Sequence, residues 1–327
     1  MLLNHIEYQP QDHEAIRILE DFLPDRIFDA HLHLFDTAFL PQSHHGERSV
    51  ATTEAYRRAM LPMLCHPREL RLNIIPYPDR SLRDADGKNL AAYDAFLVSE
   101  LEKDPSNVGE IIILPHETEE QIEARLVHPR IRGLKCYFNL AEVASPNHCV
   151  SEFLSESAWR VADRRGLCIT LHLMREKSLS DAENLSCIQK MAAKYPNARL
   201  ILAHAARSFA AWTGVEAVAE LAHLSNVWFD FSAICESPAL LRILQKIGVG
   251  RCMWGSDFPV SAGRGKAISL GTSFYWLNES HLPDFSGLLN LGIENLLAVR
   301  QACILADLTE RDVERIFYTN ASEFWRV

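Results

Sequence analysis

Eight short apolar runs, separated by longer amphipathic stretches, constrain the fold of this chain more than any other feature. They are RIFDAHLHL (26–34), RLNIIPYP (71–78), VGEIIILPHE (108–117), IRGLKCYFN (131–139), LCITLHLM (167–174), RLILAHAAR (199–207), VWFDFSAI (227–234) and RCMWGSDFP (251–259). Near-continuous apolar strands suit a parallel sheet covered on both faces. Segments 151–166 and 181–196 carry helical patterning between strands and stop at Gly166 and Pro196. Eight strands alternating with helices predict an α/β fold, a single (β/α)8 TIM barrel over residues 1–327, rather than a doubly wound sheet. What separates the two is the placing of polar residues. They recur at strand C-terminal ends along the whole chain, where barrel active sites assemble.

Two connections are longer than ordinary βα loops: 35–70 after strand 1 and 260–286 after strand 8. Long loops on that face cap a site or shape its specificity. The second contains AGRGKAISLG, which departs from a phosphate loop because Val260 stands where the first glycine belongs and Ala267 follows the lysine. It is expected to form a flexible lid.

The formal net charge of -10 argues against a nucleic-acid surface. No apolar run reaches the roughly 18 residues of a membrane helix, and MLLNHIEYQPQDHE lacks a basic region followed by an apolar core. Eight scattered cysteines, none in CxxC, fit reduced thiols and a cytoplasmic location. Self-association is left open.

His31 and His33 lie two apart in a strand and so share a face. Converging imidazoles can chelate a metal or can be hydrogen-bonded core groups. Further polar groups sit at other strand ends: Lys135 on strand 4, His172 on strand 5, His204 on strand 6 and Asp257 on strand 8. A closed barrel brings these to one mouth, as a nitrogen and oxygen donor set suited to Zn²⁺, or to Mn²⁺ or Fe²⁺. Arg175, Arg207 and Arg264 lie just beyond catalytic strand ends and favour a small anionic substrate. His116 and Glu117 follow strand 3.

HLH on strand 1, LHL on strand 5, LAHAAR on strand 6 and WGSDFP on strand 8 resemble the amidohydrolase superfamily. The nearest branch also holds aminocarboxymuconate-semialdehyde decarboxylase. The resemblance implies that His31, His33, His172 and Asp257 hold one divalent ion per chain, and that Asp257 takes a proton from the attacking water. His204 would contact substrate or water, or join Lys135 at a second metal. RGLKCYFN resembles the strand whose lysine is carboxylated in binuclear members; the other reading pairs Lys135 with Asp257 or a substrate carboxylate. The expected activity is metal-dependent hydrolysis of an amide, lactone or ester bond. The alternatives are a non-oxidative decarboxylase and a catalytically silent metal-binding barrel. The resemblance also takes in lactone hydrolases that work without metal.

Overall fold

The computed structural model describes residues 6–40 and 48–327; residues 1–5, the start of the N-terminal stretch read above, and 41–47 of the first long loop lie outside the described residues. All eight expected strands form: β1 (Arg26–Asp36), β2 (Glu69–Pro76), β3 (Val108–Ile112), β4 (Ile131–Cys136), β5 (Cys168–Leu171), β6 (Arg199–Leu202), β7 (Val227–Asp230) and β8 (Cys252–Met253). Each pairs in parallel with the next. From β3 onward every strand ends before its apolar run does. The remaining residues leave the ladder at the C-terminal mouth and carry His172, His204, Arg207 and Asp257 there.

The ring closes between β8 and β1. The Ala30 N–H donates to Trp254 O (3.0 Å), His33 N–H to Phe258 O (2.7 Å) and Asp257 N–H to His31 O (2.7 Å). Strand β8 is short because its pairing continues as these irregular bonds, which lift residues 254–258 toward the mouth. Helices such as Glu156–Arg165 and Ala182–Lys194 run between strands. Each begins at a side-chain cap, Ser155 accepting from Ala158 N–H and Asp181 from Glu183 and Asn184 N–H. The opposite end of the barrel is plugged by the C-terminal helix Asn320–Trp325. Phe324 and Trp325 pack there with Phe28, Ala30, Val108, Cys168, Ile201 and Met253. Burying an aromatic of that size contributes about 1.5–3 kcal/mol or more.

The loop after β8 is an ordered hairpin rather than a flexible lid. Strands β9 (Gly265–Leu270) and β10 (Ser273–Asn278) pair antiparallel through a turn with Gly271 at φ 60°. All eight cysteines are free, six of them buried. Among the described residues no helix is long and apolar enough to cross a membrane.

Candidate metal centre and its cavity

The placing of His31 and His33 depends on a break in β1. The register of β1 against β2 shifts between Asp29 and Leu32. Phe28 and Ala30 pack into the lower plug, while Leu32 and Leu34 join the outer core. A bulge here reverses the alternation, so Ala30 and His31 both face inward and His33 follows. Side chains hold it open: Asp29 accepts from His31 N–H (3.1 Å), Ser256 N–H (2.9 Å) and Tyr56 O–H (2.6 Å). Asn73 Nδ2 donates to Ala30 O (3.0 Å). Burial raises the Asp29 carboxyl to about 6 against these donors. Gly255 lets β8 approach, since a Cβ there would meet His31 Cβ at 2.7 Å.

The ligand atoms of His31, His33 and Asp257 lie within 4.8 Å of one another. His33 Nε2 is 3.3 Å and His31 Nε2 3.7 Å from Asp257 Oδ1. Their tautomers decide what that means. Asp230, a carboxylate and therefore an acceptor, sits 3.0 Å from His31 Nδ1. The carbonyl of Ile75 sits 3.2 Å from His33 Nδ1. Both Nδ1 atoms donate, so both rings turn Nε2 toward the Asp257 carboxylate oxygen, and His31 Nε2 also lies 3.5 Å from Lys135 Nζ. Acceptors converge this way around a cation. Neighbouring donors of a tetrahedral ion at 2.0–2.1 Å would sit about 3.3–3.4 Å apart, close to these gaps. Burial and the charge of Lys135 lower His31 to about 3, keeping it neutral and able to ligate.

Of the four expected ligands, the structure brings these three together. His172 stands on the adjoining wall, its ring centroid 5.0 Å from His204 and 4.8 Å from Tyr137. Its buried Nδ1 has no hydrogen-bond partner. A buried ring nitrogen without a partner costs free energy unless a ligand takes it up, and the His172 ring lines the same cavity as His33 and Asp257. The donors thus fit a divalent ion.

Strand β7, on which sequence reasoning placed no site residue, supplies the group that organises the others. Asp230 Oδ2 takes His31, and Oδ1 takes His204 N–H (3.0 Å), Ser232 N–H (3.1 Å) and Ser232 O–H. Burial opposes ionisation of Asp230, but these donors outweigh it and hold its carboxyl below the usual range. Ser232 O also lies 3.2 Å from His204 Nδ1, so His204 turns Nε2 to the cavity. Residues 204–207 are all left-handed, with φ between 50° and 60°. Such backbone costs about 1–2 kcal/mol per residue and is tolerated where surroundings fix it. Here it aims both His204 and Arg207 at the mouth.

Lys135 is 1 % exposed, with Nζ 3.5 Å from His31 Nε2. It makes no ion pair among the described residues, so the expected pairing with Asp257 is not seen. Burial lowers its pKa against the pull of Glu110, Asp230 and Asp257. Glu110 lies beneath, accepting from Asn73 Nδ2 (2.8 Å) and Thr170 O–H (2.8 Å). Burial raises it to about 7.

A cavity of about 410 Å³ opens over these groups, lined by His33, Lys135, His172, His204, Arg207 and Asp257 among others. That volume suits a small molecule. Only Arg207 of the three arginines reaches it. Arg175 is turned to Asp181 (3.0 Å) and Glu183. Arg264 is turned to buried Asp12 (2.6 Å), tying the base of the hairpin to helix Pro10–Glu20. Sequence position puts all three past strand ends, but nearby carboxylates capture two. Glu117 pairs with Arg125 (2.8 Å) and His116 is exposed.

A parallel barrel with two histidines on its first strand, an aspartate beyond its last and a polar mouth defines the class. A family profile described as Amidohydrolase matches residues 28–327, and the chain belongs to that family. A search of curated protein sequences returned no significant match. Among solved structures, an amidohydrolase from Burkholderia multivorans with bound zinc is 15% identical, with a TM-score of 0.58 over 92% of this chain and 99% of that one. A protein described as a 2-pyrone-4,6-dicarboxylic acid hydrolase from Pseudomonas putida is 14% identical (TM-score 0.58, 93% and 98%). The 5-carboxyvanillate decarboxylase of Sphingomonas paucimobilis is 12% identical (TM-score 0.54, 92% and 99%). These likenesses establish a shared fold.

Proposed function

We propose that this chain is a metal-dependent hydrolase that opens an amide, lactone or ester bond of a small anionic substrate. The observation that carries the reading is the convergence of the Nε2 atoms of His31 and His33 on Asp257 Oδ1, at the floor of a cavity whose wall presents Arg207. His31, His33 and Asp257 would hold one divalent ion, with His172 completing the set; zinc suits these donors and is bound in one fold neighbour. Such an ion supplies Lewis acidity toward a carbonyl and lowers the pKa of water from 15.7 to about 7.

The chain's own groups account for the rest. Asp257 lines the cavity and takes the proton of the attacking water, then returns it to the leaving group. His204, neutral because burial lowers its pKa and with Nδ1–H given to Ser232 O, presents Nε2 as an acceptor for a proton of the attacking water or of a substrate hydroxyl. Arg207 pairs with the anionic group, in keeping with the carboxylates in the names of two fold neighbours.

The test is a panel of lactones, esters and amides of small acids, run beside the parent carboxylic acids. Hydrolysis by metal-loaded protein, lost on chelation and restored by zinc, is expected. Release of carbon dioxide without hydrolysis would make the protein a decarboxylase; full activity without metal would remove the reading.

A further inference from the structure

We propose that hairpin β9–β10 is the specificity element of this cavity: Phe274 and Trp276, with Phe209, form a wall for the flat face of an unsaturated acid whose anionic group pairs with Arg207. The proposal rests on the cavity's being the substrate site.

Phe274 and Trp276 are two apart in β10 and so share a face. Both line the cavity, while Tyr275 between them turns out to His281 (2.7 Å). Their rings stand 4.9 and 5.0 Å from that of Phe209, which in turn stacks 5.4 Å from His204. Tyr77 and Tyr137 line the cavity too, beside His33 and His172. A space bounded by rings favours a planar guest, which meets them stacked or edge-on. Trp276 is still 38% exposed, so an indole face remains for a guest to cover.

Arg207 fixes where the charge goes. Its guanidinium lies 5.1 Å over Phe274, and Nη1 donates to Arg175 O (3.2 Å). Among the described residues it has no carboxylate partner. A cation held by a ring face and one carbonyl keeps donors for an anion. The hairpin that holds Phe274 is itself braced. Lys266 pairs with Glu294 (2.9 Å), Thr272 donates to Glu176 (2.9 Å) and Ser269 N–H donates to Glu236 (3.2 Å). The wall is therefore built before ligand arrives, which lowers the ordering cost of binding.

The experiment is calorimetric titration of zinc-loaded protein with 2-naphthoate and with its saturated analogue, trans-decahydro-2-naphthoate. Neither acid has a bond to hydrolyse, so the titration reads the subsite alone, and the hydrolysis assay can fail without altering it. The flat acid should bind at least ~10-fold more tightly. Trp276→Leu should bring the two within about 2-fold, and Trp276→Phe should keep most of the preference. Arg207→Gln should weaken both acids by ~10-fold and leave their ratio unchanged. Circular dichroism of each variant should match the parent. Equal binding of the two acids, an unchanged ratio in Trp276→Leu, or no binding of either would overturn the proposal.

Discussion

The carboxylate of Asp230 holds the Nδ1–H of His31 at 3.0 Å and, through its other oxygen, the backbone N–H of His204 at 3.0 Å. One side chain on β7 thus fixes the tautomer of a candidate ligand on β1 and the position of a candidate acid–base group after β6. Groups that orient a ligating histidine typically change metal affinity by 10–100-fold when removed. Asp230→Ala should therefore lower zinc affinity by about that factor in a chelator competition, with secondary structure kept. Unchanged affinity would show that His31 is oriented without it.

Arg207 and Arg264 should separate in assay. A lost charged hydrogen bond is worth about 1.5–3 kcal/mol, so Arg207→Ala should weaken binding of an anionic ligand roughly ten-fold or more with little change in Tm. Arg264→Ala instead strands Asp12, which is fully buried. Leaving one partner of a buried pair costs about 3–5 kcal/mol. Thermal melting should show a large drop for Arg264→Ala alone.

Glu110 should make stability depend on pH in a defined direction. Burial raises its carboxyl from 4.5 to about 7, so the folded state binds more protons than the unfolded state between those values. Stability from this group is fully present below about 4.5 and is lost as pH rises through about 7. Glu110→Gln cannot titrate, so it should gain on the parent protein between pH 5 and pH 8 in urea denaturation. A constant difference across that range would rule the account out.

Lys135 bears on metal number. It lies against His31 without a carboxylate partner among the described residues, and a protonated lysine cannot ligate. The three donors of His31, His33 and Asp257 converge on one point, with His172 on the adjoining cavity wall, and a single ion satisfies that set. Metal analysis should give about one equivalent per chain, and intact mass and a crystal structure should show Lys135 unmodified. A carbamate on Lys135 bridging two ions less than about 4 Å apart would replace this with a binuclear site.

The barrel follows from the pattern of apolar runs. Eight apolar runs at regular spacing have one economical way to bury both faces of each strand, and the polar residues at their ends had to meet at one mouth. His31 and His33 share a face because the strand period is two. Which face they share depends on long-range packing. The bulge held by Asp29 and Asn73 reverses the alternation set by Phe28 and Ala30, and that bulge depends on Ser256 and Tyr56, more than 20 residues away in the chain. The same holds for Asp230, one polar residue in an apolar run until His31 is seen beside it. It holds too for the arginines: Arg175 and Arg264 look like Arg207 in the chain, but Asp181, Glu183 and Asp12 neutralise them. Local pattern fixes where a side chain stands along its strand. Which partner reaches it first is set by segments distant in sequence, and that choice decides whether a charge is left for a ligand.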